Sequence, residues 1–205
     1  GDLFLSVAKG SSGKKKWQRS VFAGLKIPLG TADKRKNGTS LPMVYQPTLG
    51  TTDLLAGVSF SRKQFGLSLA YQQPLDNPNK NQFLQSSYPA QHAAGNYPST
   101  NQFSRKADLV GRITGNIVNR DHWLVQPGLL GIYHTGTDSY RNESGQRSGI
   151  DGSKGLTLNA ILYTQFNTSK KSHIAISAGT PILVRTERPD GLTRKFVLSL
   201  EYAFR

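Results

Sequence analysis

Apolar side chains recur at every second position through much of the chain, most clearly between residues 54 and 72. Leu54, Ala56, Val58 and Phe60 alternate with Leu55, Gly57, Ser59 and Ser61. After Arg62, Lys63 and Gln64 the alternation resumes, with Phe65, Leu67, Leu69 and Tyr71 set against Gly66, Ser68, Ala70 and Gln72. Successive side chains of a strand point to opposite faces, so this pattern predicts a hairpin with one apolar face and one small or polar face. The same periodicity predicts strands near residues 3–8, 17–29, 105–118, 123–134, 156–166, 173–182 and 194–205. In the last of these, Phe196, Leu198, Leu200, Tyr202 and Phe204 share one face, while Val197, Ser199, Glu201 and Ala203 share the other. Phe22 is the one bulky residue on the polar side of its strand.

The connections alternate in length. Short turns follow the first, third, fifth and seventh strands, and longer polar loops (31–50, 73–104, 135–155 and 184–193) follow the others. One-sided loop lengths of this kind match the short periplasmic turns and long extracellular loops of outer-membrane barrels. The fold expected is therefore all-β, an antiparallel transmembrane β-barrel of about ten strands (roughly eight to twelve) forming a single domain over residues 1–205. The alternative is a soluble sandwich of half-buried strands. Nine strands are legible, whereas bacterial barrels usually have an even number. An upstream strand or segment missing from this sequence is one resolution of the parity. A weak strand over 41–49, where Leu41, Met43, Tyr45 and Pro47 alternate, is the other.

The composition narrows the choice. The chain is 36% apolar, with 21 Gly, 10 Pro and a mean hydropathy of −0.44. That is polar for a large buried core but fits strands with one lipid face and one lumen face. No run of 18 apolar residues exists, which excludes a spanning helix. Cysteine is absent, excluding disulfides and thiolate metal sites. The chain opens without a charged segment followed by an apolar one, so a signal peptide is expected to have been removed or to lie upstream. Against 12 acids stand 26 Lys and Arg, a net charge of +14, which implies an anionic partner. The basic residues cluster in turns rather than among exposed aromatics on one module, so nucleic acid is not the expected partner.

Several residues are candidates for chemistry. Lys26, Asp108, Arg112 and Glu201 fall on the polar faces and are expected to form a lumen network. Asp108 would pair with Arg112 four residues along, and Glu201 with Arg112 or Lys26, because an unpaired buried charge is costly. The functional alternative is a charged constriction that selects solutes. Lys14, Lys15, Lys16, Arg62, Lys63, Arg120, Lys170 and Lys171 all fall in short turns. They read either as solvated turns or as a periplasmic docking surface for an acidic partner or anionic lipid headgroups. His134, Asp138, Ser139 and Glu143 carry the ingredients of a hydrolase, but in ordinary loop chemistry, and the chain is not expected to be an enzyme. His92, His122 and His173 lack metal-ligand spacing, and no cofactor is expected.

The order Gly24-Leu25-Lys26-Ile27-Pro28-Leu29-Gly30, Leu49-Gly50-Thr51-Thr52-Asp53, Ala178-Gly179-Thr180-Pro181 and then 198–204 resembles transporter-type outer-membrane barrels, nearest those associated with the phenol-degradation meta-pathway. Phe204 is penultimate rather than terminal, which departs from the commonest barrel ending. The resemblance implies passage of small, often hydrophobic molecules across a bacterial outer membrane and brings no catalytic residues with it. The function expected is a pore or transporter-like barrel for small hydrophobic or anionic solutes. Its alternatives are a non-conducting structural subunit of an outer-membrane assembly and a small outer-membrane enzyme. Outer-membrane lipid is the expected partner, joined in the structural reading by another outer-membrane or periplasmic protein. The closing face of Phe196, Leu198, Leu200, Tyr202 and Phe204 is expected to meet lipid, with Tyr202 and Phe204 near the periplasmic interface.

Overall fold

The period-two alternation becomes one antiparallel meander. The structure is a computed structural model that describes residues 1–11, 17–120, 122–169, 171–191 and 195–204. In chain order the strands are β1 (Asp2–Ser11), β2 (Gln18–Pro28), β3 (Arg35–Lys36), β4 (Thr39–Ser40), β5 (Asp53–Arg62), β6 (Phe65–Pro74), β7 (Asp108–Gly115), β8 (Val118–Asn119), β9 (Trp123–His134), β10 (Ser139–Arg141), β11 (Arg147–Gly149), β12 (Gly155–Asn167), β13 (Ser172–Leu183) and β14 (Val197–Phe204). The long strands pair in the order β1-β2-β5-β6-β7-β9-β12-β13-β14, and β8 pairs with β9 beyond the end of β7. β3–β4 and β10–β11 are separate two-stranded ribbons inside the long loops. Among the described residues there is no α-helix.

The ladder register sorts the two faces. One row of cross-strand partners runs Val21, Val58, Leu69, Gly111, Gly131 and Leu158. The next row runs Ser20, Ser59, Ser68, Arg112, Leu130 and Asn159. Residues directly opposite each other share a face, so the apolar side chains collect on one surface of the sheet and most polar ones on the other. Strand contacts run between ladder neighbours, and no described element covers the apolar surface. Leu69, Ile113, Leu129, Ile176 and Leu200 are accordingly exposed.

The buried apolar cluster lies elsewhere. Ala32, Met43, Phe103 and Ile150, joined by Leu49 and Tyr140, pack together within the long loops, where Phe83 is also buried. Asparagine side chains do the work of a ladder there. Asn79 Oδ1 accepts from the backbone N–H of Asn81 and of Phe103, and Asn81 Nδ2 donates to the Ala32 carbonyl. These bonds tie the 75–106 loop to the 29–52 loop and satisfy backbone groups that have no strand partner.

β1 and β14 are the two edges of the sheet and do not pair with each other. Both are exposed along nearly their whole length. The expected weak strand over 41–49 is instead a single 3₁₀ turn at Met43–Tyr45, preceded by Pro42, which lacks the N–H a ladder requires. Arg105 and Lys106 belong to the loop before β7 rather than to the strand, and Phe196 precedes β14. The expected turn residues Lys14, Lys15, Lys16 and Lys170, and Arg194 of the closing stretch, lie outside the described residues.

The structure accounts for Phe22. It stands opposite Gly57 in the ladder, and a Cβ on Gly57 would meet the Phe22 ring and lie 2.8 Å from the Leu69 carbonyl oxygen. The missing side chain leaves room for the ring on the polar face, an aromatic–glycine pairing that pins register. Gly57→Val is expected to cost about 1–3 kcal/mol through overpacking, measured as a lowered urea midpoint, whereas Gly38→Val meets no neighbouring atom and bears only its positive-φ strain.

Candidate functional site

A row of ionisable side chains crosses the polar face at the long-loop end. Lys26 and Asp53 are cross-strand partners, as are Gln72 and Asp108, and Asp108 and His134. Lys26 Nζ lies 2.6 Å from Asp53 Oδ2, with the two side chains 4% and 0% exposed. Gln72 Nε2 donates to the same carboxylate oxygen. His134 Nδ1 is 2.6 Å from Asp108 Oδ1, and its Nε2 is 2.7 Å from Asp138 Oδ1. Ionised carboxylates only accept hydrogen bonds, so two of them on one imidazole call for a proton on each nitrogen.

The loops complete this cluster. Arg105 donates to Asp108 and, through Nε at 2.8 Å, to Asp190. Arg185 donates to Asp190 and, at 2.6 Å, to the Ser153 carbonyl. The Asp138 carboxylate also accepts from the Lys106 N–H, and the Asp138 N–H donates to Ser153 Oγ. Three carboxylates (Asp108, Asp138, Asp190) thus meet two guanidiniums (Arg105, Arg185) and one imidazolium. The formal charges cancel, which is how so many buried ions become tolerable.

Burial alone would raise the Asp190 pKa, but Arg105 and Arg185 outweigh it and hold the carboxyl below the ordinary carboxylate range. A depressed folded-state pKa gives stability that is present above the unfolded value, about 3.9, and is lost as pH falls through the folded one. The loop cap is therefore expected to hold down to about pH 4 and to loosen below it, read as protease cleavage within 75–106 that accelerates only on that acidic side.

The cluster is poorly built for hydrolysis. Both imidazole nitrogens face carboxylates, and Ser153 Oγ accepts the Asp138 N–H. Ser139 and Glu143, considered with His134 from the sequence, form no bond to it. Among the described residues no group of His, Asp and Glu has an arrangement suited to a metal ion.

The rest of the polar face forms two adjoining cavities. One, of about 550 Å³, is lined by Leu130, Ile132, Ile161 and Val197 together with Arg112 and Arg188. The other, of about 380 Å³, is lined by Ser59, Ser68, Thr114, Gln126 and Lys63, and it shares Arg112. Among the described residues, every charged residue in either lining is a cation. Neither Arg112 nor Arg188 has a side-chain hydrogen bond or ion pair among the described residues.

The expected pairings are therefore corrected. Asp108 and Arg112 share a face, but four residues of extended chain separate them by about 13 Å, so Asp108 pairs with Arg105 and His134 instead. Lys26 pairs with Asp53, its ladder neighbour, rather than with Glu201, seven positions away in the sheet order. Glu201 stands opposite Ala175, is exposed, and joins neither Arg112 nor Lys26. Sequence reasoning missed Asp53, Arg105, Arg185, Arg188 and Asp190. The Arg105–Asp190 contact joins positions 85 residues apart, which no local pattern can reveal.

Arg62, Lys63, Arg120 and Lys171 are exposed at the short-turn end. Arg62 lies 6.0 Å from the centre of the Trp17 ring, which meets Phe65 edge-on at 6.2 Å. Trp123 and Phe166 pack at 4.9 Å, and Tyr202 neighbours Phe204. Compared with known proteins, the sequence matches no family model and no curated protein.

Proposed function

We propose that the chain is a bacterial outer-membrane β-barrel, pore- or transporter-like, that passes small solutes, in keeping with its resemblance to transporter-type barrels. The observation that carries the reading is the uncovered apolar face of the sheet, flanked at the short-turn end by Trp17, Phe65, Trp123, Phe166, Tyr202 and Phe204. A soluble protein rarely leaves so large a contiguous apolar surface to water. Lipid accepts such a face, and interfacial aromatics mark its boundary. Strands of 8–13 residues suit the hydrocarbon thickness when tilted. In lipid every backbone group needs a partner, so closure would join the β1 and β14 edges directly or through an added strand. An added strand would bring the nine long ones to the even number expected.

The interlocked loops favour a second reading, a non-conducting structural subunit of an outer-membrane assembly. The charged belt lies at one end of the polar face and is bonded to the long loops, and the exposed basic turns would then dock an acidic partner or anionic lipid. Planar-bilayer recording of the purified chain separates the two readings. Stepwise conductance is the outcome expected for a pore. A bilayer that stays silent while the chain is inserted would favour the structural subunit.

A further inference from the structure

We propose that the polar-face chamber binds a small amphiphilic carboxylate, its anionic head held by Arg112 and Arg188 and its apolar body resting on Leu130, Ile132, Ile161 and Val197. The inference rests on the solute-passing reading above and names the class of solute. Three observations support it. Both cavities have only cations among their charged lining residues, so the field inside favours an anion. Arg112 lines both cavities without an internal carboxylate, although six acids elsewhere in the structure are paired. A planar guanidinium with open donors matches the two oxygens of a carboxylate. The balance of the lining also changes along the chamber: the larger cavity presents chiefly apolar surface, although Thr157, Asn159 and Tyr163 also line it, and the smaller one presents chiefly hydroxyls and amides. A cavity of about 550 Å³ lies within the usual size of small-molecule sites.

The sheet explains why Arg112 is free. Its ladder neighbours are Ser68 and Leu130, and the ionised row lies four residues away along β7, beyond side-chain bonding reach. Arg188 enters from the last long loop beside Arg185 and Asp190, whose carboxylate is already committed to Arg105 and Arg185. Desolvation lowers the Arg188 pKa and neighbouring Arg185 adds to the effect. A ligand carboxylate would relieve both costs.

The test is calorimetric titration of the full chain, folded in an uncharged detergent, with octanoate and with octanamide, its neutral partner of equal length. Octanoate is expected to bind roughly tenfold or more tightly than octanamide, the size of a charge-assisted hydrogen bond. Arg112→Gln and Arg188→Gln are each expected to remove most of that preference while leaving octanamide binding unchanged, with strand content by circular dichroism as the folding check. Equal binding of the two probes, or a preference that survives Arg112→Gln, overturns the proposal. The two failures read out separately. Lack of preference in detergent sinks the binding site whether or not the chain enters vesicles, and failure to enter vesicles sinks the membrane reading whatever the calorimeter gives.

Discussion

Asp190→Asn is expected to open the loop cap by about 3–5 kcal/mol, the usual cost of leaving buried charges without their partner. Among the described residues Asp190 is the only carboxylate that touches both Arg105 and Arg185, and its side chain is 9% exposed. Removing its charge leaves two guanidiniums close together, with Arg188 nearby, and strands Arg185 without an acid. At roughly 1.4 kcal/mol per factor of ten, opening becomes at least a hundredfold more frequent. Pulse proteolysis within 75–106 reads this directly. Arg35→Ala is the control, because Arg35 is 46% exposed in its pair with Asp33, and a solvated pair contributes only about 0–1 kcal/mol. Equal protection of Asp190→Asn and wild type would mean that the charged cluster does not hold the loops.

Leu69→Arg is the second large effect, and its size depends on where the protein resides. Leu69 sits mid-strand on the apolar face, between Val58 and Gly111, and is 50% exposed. At the midplane of a bilayer an arginine there is expected to cost about 2–4 kcal/mol. On a water-facing sheet the same change would fall within about 0.5 kcal/mol of neutral. Urea unfolding from lipid vesicles is therefore expected to shift strongly for Leu69→Arg and little for Ser68→Gln, a polar change on the chamber side.

The two faces of the sheet were legible because alternation is local. The 54–72 hairpin appears within two residues of where the pattern placed it, since Leu54 to Phe60 and Phe65 to Tyr71 keep period two. The polar site was less legible. Asp108 and Arg112 look like partners because they share a face, yet extended chain holds them apart. The actual partners come from ladder register, as with Lys26 and Asp53, or from loops distant in sequence, as with Arg105 and Asp190. The 73–104 loop looked patternless because its order rests on Asn77, Asn79 and Asn81, each bonding two or more backbone groups, rather than on a recurrence of apolar residues. His134 and Asp138 were noticed together, but the second carboxylate on the imidazole, which turns a candidate base into a held cation, comes from another strand.

The central claim is that the apolar face meets lipid, and residue-by-residue quenching tests it most directly. The chain has no cysteine, so single cysteines carrying a fluorophore can be placed in turn at Leu67, Ser68, Leu69, Ala70 and Tyr71 of β6 and the protein folded into vesicles containing quencher-labelled lipid. Strong lipid quenching is expected at Leu67, Leu69 and Tyr71, with weak quenching at Ser68 and Ala70, where a water-soluble quencher should reach instead. Equal quenching at all five positions, or access of the aqueous quencher to Leu67 and Leu69, would contradict it.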